Sequence, residues 1–256
     1  MMDGVATGYE PQFDFPARER PPEKCWLLAS VPRSGSTYVS HLLWATGCLG
    51  APLEYLNFEP AGPYGFASES PARQVELWRS ALRRRTSPNG VFGLKAFPLL
   101  FQDVHAANPA LVDEVMRTVF PRGGPGRVVQ LRRRDRTAHA ISYARALMSG
   151  IWRKEQEPEE RPEPEYSNEA MNRAMELIDR QEAVWQAMFR DLRIEPLEIW
   201  YEDVTDAPEA AVNSVANYLE VALDPGAAVA VPAIERQSQA GARAWAERHA
   251  FSSPSA

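Results

Sequence analysis

Cys25-Trp26-Leu27-Leu28-Ala29 is a short continuous apolar run, the pattern of a strand buried on both faces, and it breaks at Pro32-Arg33-Ser34-Gly35-Ser36. After the break, Tyr38, His41, Leu42 and Ala45 recur at helical spacing up to Gly47, a residue suited to stop a helix. Strand, tight polar turn and helix in that order constrain the chain strongly, because parallel strands are joined through crossovers that are usually helical.

The same alternation returns downstream. Val91 to Lys95 reads as a strand, Leu111 to Val119 as a helix, Arg127 to Leu131 as a strand and Asp135 to about Ser149 as a helix. Met171, Met175, Ile178, Val184 and Trp185 give one apolar side to a long helix from Asn168 to Leu192. Leu197 to Tyr201 reads as a later strand, and Pro208 opens a helix that runs to Leu219. The expected fold is α/β: a P-loop-like, three-layer fold with a mainly parallel sheet covered by helices on both faces. Ligands of such sheets bind beyond the carboxyl ends of the strands, so the informative turns follow Val31, Lys95 and Leu131.

With 256 residues, 45% of them apolar, the chain can bury one sizeable core. Residues 23–250 are therefore expected to form one domain. Residues 1–22 lack a sustained period, end in Arg20-Pro21-Pro22 and read as a flexible arm, while 251–256 read as a tail. The stretch between Lys154 and Tyr166 is dense in Glu and Pro and is expected as a surface loop. A net charge of −6 weighs against general nucleic-acid binding, so any anion site must be local. Cys25 and Cys48 have no metal-ligand spacing and indicate neither a disulfide framework nor zinc, which fits a reducing compartment. No apolar stretch approaches the roughly 20 residues needed to cross a bilayer, so a cytoplasmic protein without stable membrane insertion is expected.

The turn Pro32-Arg33-Ser34-Gly35-Ser36-Thr37 lies where backbone amides and a helix dipole both face an anion. Gly35 lets the backbone curl, Ser34, Ser36 and Thr37 add hydroxyls, and Arg33 adds charge. A nucleotide-triphosphatase loop would place lysine directly after the second glycine, where this chain has Ser36. A second cationic turn, Arg132-Arg133-Arg134-Asp135, follows a later strand and opens a helix carrying Ser142. A cation at that strand end and a hydroxyl about two helical turns on can meet on one phosphate lying along the helix. The plainer reading of the run is a solvated basic patch.

Pro-Arg-Ser-Gly-Ser-Thr after a first strand resembles the 5'-phosphosulfate loop of sulfotransferases that use 3'-phosphoadenosine-5'-phosphosulfate (PAPS). Gly50-Ala51-Pro52-Leu53-Glu54-Tyr55, Asn89-Gly90-Val91-Phe92-Gly93-Leu94-Lys95, Glu235-Arg236-Gln237 and Trp245-Ala246-Glu247-Arg248 are similar to segments of the bacterial trehalose 2-sulfotransferase family, in the same order. The resemblance spans roughly Cys25 to Arg248. It implies PAPS as donor substrate, no metal, a small-molecule hydroxyl acceptor such as a carbohydrate or glycolipid, and association as a homodimer. It implies Glu54 as general base for an in-line displacement and Arg133 with Ser142 on the 3'-phosphate, with Arg134 left open. Lys95, at a strand end, would neutralise the group in flight, and Arg236 and Gln237 would close over the nucleotide. The competing bases are His41 and His139, each within an expected helix. Tyr55, Phe58, Tyr64, Phe66, Phe97, Trp152 and Trp200 offer faces for a sugar, though most are expected in the core. The chain departs from the family in its long N-terminal arm, in Tyr55-Leu56 and from Asn57 to Ser87.

The rival readings are a P-loop kinase or NTPase, with Glu202-Asp203 as the metal-holding acid, and a nucleotide-binding module without catalysis.

Overall fold

Four short strands, β1 (Lys24–Ala29), β2 (Val91–Ala96), β3 (Arg127–Arg132) and β4 (Leu197–Trp200), pair in parallel in the order β2-β1-β3-β4. The computed structural model describes residues 6–121, 126–152, 163–234 and 239–252. Because successive side chains of a strand point to opposite faces, the sheet divides the interior in two. Leu27, Phe92, Leu94 and Val128 face one side, where they meet helices α2 (Pro71–Arg84), α3 (Pro98–Ala107), α4 (Pro109–Val119) and the long α6 (Asn168–Leu192) through Trp78, Val104, Val115 and Trp185. Trp26, Leu28, Val129 and Leu131 face the other, against α1 (Ser36–Ala45), α7 (Tyr201–Asp206) and α8 (Pro208–Leu219). The expected three-layer α/β arrangement is the observed one. A third cluster joins α5 (Arg136–Ser149) to α6 and to α9 (Gln239–Ser252) through Ile141, Tyr143, Met171 and Trp245.

Several elements differ from expectation. Helix α2 lies in the segment from Asn57 to Ser87, where the chain departs from the family pattern; Pro71 sits at its first position, and Trp78 and Ala81 are buried. The last strand stops at Trp200, and Tyr201 begins α7 instead of ending the strand. Helix α9 continues through Ser252, past the start of the expected tail. Of the stretch from 154 to 166, residues 154–162 lie outside the described residues, while Glu163 pairs with Arg145 at 2.7 Å and the Pro164 carbonyl accepts from Trp245 at 2.9 Å. Among the described residues no helix is long and apolar enough to cross a membrane.

Part of the N-terminal arm, residues 7–18, is packed against the body of the protein, where a flexible arm is expected. Phe15 is buried in the core, and the Phe15 and Arg18 amides donate to the Arg84 and Arg83 carbonyls, which end α2. The reason is Arg85, whose guanidinium is buried and needs acceptors for its fixed fork of donors. It donates to the carbonyls of Gly8 (2.8 Å), Glu10 (3.2 Å) and Phe13 (3.3 Å) and pairs with Asp14 at 3.1 Å. The segment becomes a strap wrapped around one cation. Replacing Arg85 by Ala strands these carbonyls, and urea unfolding should show a loss of about 3 kcal/mol, with limited proteolysis cutting first in the strap.

Candidate active site

In a sheet ordered β2-β1-β3-β4 the chain leaves β1 toward one neighbour and later returns on its other side. The crevice between the carboxyl ends of β1 and β3 is therefore the topological switch point, where ligands of open α/β sheets bind. Both cationic turns read from the sequence end there. The turn after β1 holds two residues in the left-handed region, Arg33 at φ 70° and Gly35 at φ 90°. For Arg33 this is a strained conformation of the kind that collects at functional sites. At Gly35 any side chain would collide with the ring of Tyr201.

Three side chains from β3 and α5 hold the turn in place. His139 Nε2 donates to the Pro32 carbonyl at 2.9 Å, Arg133 Nη1 donates to the Arg33 carbonyl at 3.4 Å, and Arg33 Nε donates to Ser142 Oγ at 3.0 Å. Arg33 Nη1 also donates to the Trp152 carbonyl. Arg33, Arg133 and Ser142 are thus brought together. Arg134 is not: it forms a two-pronged pair with Asp203, with Nη2 to Oδ2 at 2.7 Å, lies over Trp200 and is half exposed. Of the two arginines left open by the sequence, Arg133 is the one that reaches the turn.

Tyr201, which the sequence reading placed at a strand end, is a functional-site residue missed by it. Its ring fills the space over Gly35, and the Arg133 guanidinium stacks on it at 5.2 Å. The next residue, Glu202, accepts from the Arg134 and Asp135 amides at 3.0 and 3.2 Å. Burial pushes its carboxyl up, but those amides outweigh it and hold the group below its usual range. Glu202 and Asp203 are thereby committed to the chain itself, as α5 anchor and Arg134 partner, which disfavours them as a metal-holding pair. Among the described residues no cluster of three or more His, Cys, Asp or Glu has the arrangement to hold a metal ion.

Glu54 and Lys95 meet although they are far apart in sequence. Leu53 bridges to Leu94 in parallel and accepts from the Lys95 amide at 3.0 Å, which lays the Glu54 segment along β2. Lys95 is fully buried, and its Nζ lies 2.9 Å from Glu54 Oε1 and 3.4 Å from Thr37 Oγ1. Asn57 Nδ2 donates to Glu54 Oε2 at 2.8 Å. Thr37 lies in the first turn of α1, next to the turn after β1, so an ion pair on β2 touches the candidate anion site. Ser34 Oγ is buried and, among the described residues, has no hydrogen-bond partner, and the buried Arg133 Nε makes no hydrogen bond but lies 3.9 Å from Glu202 Oε1. Unpaired buried donors are costly, and donors in such a turn fit an anionic ligand that would satisfy them. Arg236 and Gln237 lie outside the described residues.

The aromatic residues divide. Tyr55 and Phe58 are core, Trp200 lies under Arg132 and Arg134, and Phe66 is exposed beneath Arg73. Trp152, partly exposed and edge-on to Tyr143, is tied to the site through its carbonyl on Arg33.

Neither histidine stands as a base. His41 is buried with Nδ1 on the Pro232 carbonyl at 3.0 Å. His139 is buried too, and burial is the main force that lowers its pKa; the Pro32 carbonyl opposes this, while Arg133, Arg136 and Arg33 reinforce it, leaving about 4 against an ordinary 6.5. The unfolded chain therefore binds a proton between these values that the folded one does not, so His139 has no such effect above pH 6.5 and destabilises the fold as pH falls toward 4. The full effect is about 3 kcal/mol. Urea midpoints should fall across that interval, and His139→Gln should flatten the fall.

Known proteins resemble this chain over most of its length. A model of the Stf0 sulphotransferase family matches residues 25–251. The chain is 27% identical to a trehalose 2-sulfotransferase of Mycobacterium tuberculosis (strain Erdman), covering 90% of this chain and 95% of that protein. It is 26% identical to the trehalose 2-sulfotransferase of Mycolicibacterium smegmatis, covering 88% and 93%. Among solved structures, the sulfotransferase domain from the Synechococcus PCC 7002 olefin synthase is similar with a TM-score of 0.48 and 14% identity, covering 94% of this chain and 99% of that one. With the family model spanning both anion-facing turns, the Glu54 segment and Lys95, the chain belongs to the Stf0 sulphotransferases, PAPS-dependent enzymes that transfer a sulfuryl group to a hydroxyl acceptor.

Proposed function

We propose that this enzyme sulfates a hydroxyl of a small carbohydrate or glycolipid, trehalose being the first acceptor to test, with Glu54 as general base. The observation that carries the reading is the chain of contacts Thr37–Lys95–Glu54, which joins the anion-cradle turn to a carboxylate through a buried ammonium. An ion pair removed from water is a poor stabilising device compared with apolar packing. Its placement beside a strained anion loop therefore points to chemistry.

The residues fit a bis-phosphorylated donor. The turn from Pro32 to Thr37, with Ser34 Oγ and the loop amides, would hold the 5'-phosphosulfate. Arg133 and Ser142 would hold the 3'-phosphate, and Arg33, which already spans from the turn to Ser142, would lie between the two groups. PAPS supplies an activated sulfuryl group on a phosphate leaving group. The Glu54 carboxylate takes the acceptor hydroxyl proton as that oxygen bonds to sulfur, and the electron pair of the broken sulfur–oxygen bond leaves with the 5'-phosphate. Lys95 and Arg33 neutralise the charge that gathers on the transferred group and on the leaving oxygen. Trp152 offers an apolar face beside the donor for a sugar ring. The printed names of the two mycobacterial relatives support trehalose as acceptor.

The test is transfer of labelled sulfate from PAPS to trehalose and to glycolipids, run with the wild type and with Glu54→Gln, whose amide oxygen can still accept from Lys95. The variant should lose some melting temperature, because the buried Lys95 keeps only a neutral acceptor, yet bind 3'-phosphoadenosine-5'-phosphate within about twofold of wild type, while kcat falls by about 10²–10⁴. Arg33→Ala and Ser142→Ala should instead weaken nucleotide binding by calorimetry. Unchanged nucleotide affinity in Arg33→Ala contradicts the proposed cradle.

A further inference from the structure

We infer that the N-terminal strap is part of the active site and that Tyr9 is a positioning residue for Glu54; the inference rests on Glu54 being the base. The Glu54 segment is a short stretch of chain beside β2, which is an outer strand of the described sheet. Leu53 uses its carbonyl to pair with β2 through the Lys95 amide. In an extended segment successive amides point in opposite directions, so the amide of Glu54 turns away from β2, where a further strand would normally accept from it. That acceptor is supplied by the strap: the Glu54 amide donates to the Tyr9 hydroxyl at 3.0 Å. Glu54 is thus held by its side chain on Lys95 and Asn57 and by its backbone on Tyr9.

The strap is built to deliver that hydroxyl. Residues on both sides of Tyr9 are fixed to the body of the protein. The Gly8 and Glu10 carbonyls accept from the buried Arg85, and Gly8, at φ 93°, sits where an added Cβ would press on Trp44 at 3.1 Å. The Glu10 carboxylate closes the turn by accepting from the Thr7 amide (2.9 Å), the Thr7 hydroxyl (2.7 Å) and the Gly8 amide (2.8 Å). Tyr9 itself is less tightly enclosed. Its ring meets the edge of Tyr64 at 5.5 Å and borders a cavity of about 360 Å³ that also touches Asp14, Leu77 and Arg84. With open space on one side, the ring's contact with the catalytic segment is made by its hydroxyl. Tyr64 returns to the same segment, since its amide donates to the Asn57 carbonyl at 3.2 Å. The segment that distinguishes this chain from the family pattern therefore reaches the proposed base through the Tyr9 hydroxyl.

Displacing a reacting carboxylate by a fraction of an ångström slows transfer without loosening a donor bound elsewhere. Tyr9→Phe in the full-length protein keeps the ring and removes only the oxygen. It should lower kcat about tenfold with the melting temperature, the KM for PAPS and the affinity for 3'-phosphoadenosine-5'-phosphate unchanged. Because Tyr9 acts through Glu54, Tyr9→Phe combined with Glu54→Gln should be no slower than Glu54→Gln alone; a merely structural role would slow the double variant further and overturns the inference. Wild-type kcat in Tyr9→Phe, with Glu54→Gln slow, overturns it too and leaves the proposed function standing. Wild-type kcat in Glu54→Gln removes the base, and the role of Tyr9 with it.

Discussion

Lys95 is completely buried at the carboxyl end of β2, and an ammonium group in that position persists as a charge only with a partner and further hydrogen bonds. Its partners come from three parts of the chain. Glu54 reaches it from the segment that bridges β2, Thr37 from the first turn of α1, and Asn57 steadies the carboxylate from beyond. Forming this pair requires β1 and β2 to be in register, α1 to begin at Ser36, and the chain after α1 to return along β2. The geometry of the site and the closure of one side of the sheet are therefore the same event. A hydrophobic pair would cost less to bury, so the two charges are not accounted for by stability; in the proposed function they are the base and its cationic neighbour.

The other half of the site depends on sheet order. Placing β1 between β2 and β3 opens a crevice between β1 and β3, and Arg33, His139, Arg133 and Ser142 lock together across it. Tyr201 works from the end of β4, filling the space that Gly35 leaves and carrying Arg133 on its face. A neutral His139 suits its place among three guanidinium groups: a charged ring there would add repulsion, whereas the neutral ring still donates to Pro32. Charge in this crevice is positive and fixed before any ligand arrives, in a chain whose net charge is −6. The positive charge is thus local, the arrangement that the proposed bis-phosphorylated donor would need.

The strands and several helices are legible because their apolar periods are clean: α6 and α8 start and stop where spacing and Pro208 place them. Helix α2 was not read, although Ser70-Pro71 is a start signal and Trp78 and Ala81 lie on one face, because the segment before it is rich in Gly, Pro and aromatic residues. Tyr201 was misplaced because an aromatic residue after Leu197–Trp200 continues a strand-like composition, and only packing against Gly35 turns it into a helix start. Glu54, Lys95, Arg33 and Ser142 were named from motifs, but no local pattern could pair Lys95 with Glu54 or choose Arg133 over Arg134. Those outcomes depend on register and on a competing acid, Asp203, that lies in another element. The strap was misread for a similar reason: its partner, Arg85, is a lone charge in sequence and becomes an anchor only once buried.

The central claim is that the crevice between β1 and β3 is a site for a bis-phosphorylated adenosine nucleotide. Thermal unfolding of the full-length protein with 3'-phosphoadenosine-5'-phosphate, set against ATP with Mg²⁺, tests it most directly, since a ligand that binds only the folded state at 100 times its Kd adds about 2.7 kcal/mol. A rise in melting temperature with the bis-phosphate and none with Mg·ATP is the predicted result. Stabilisation by Mg·ATP alone would contradict it and return the crevice to a phosphoryl-transfer reading.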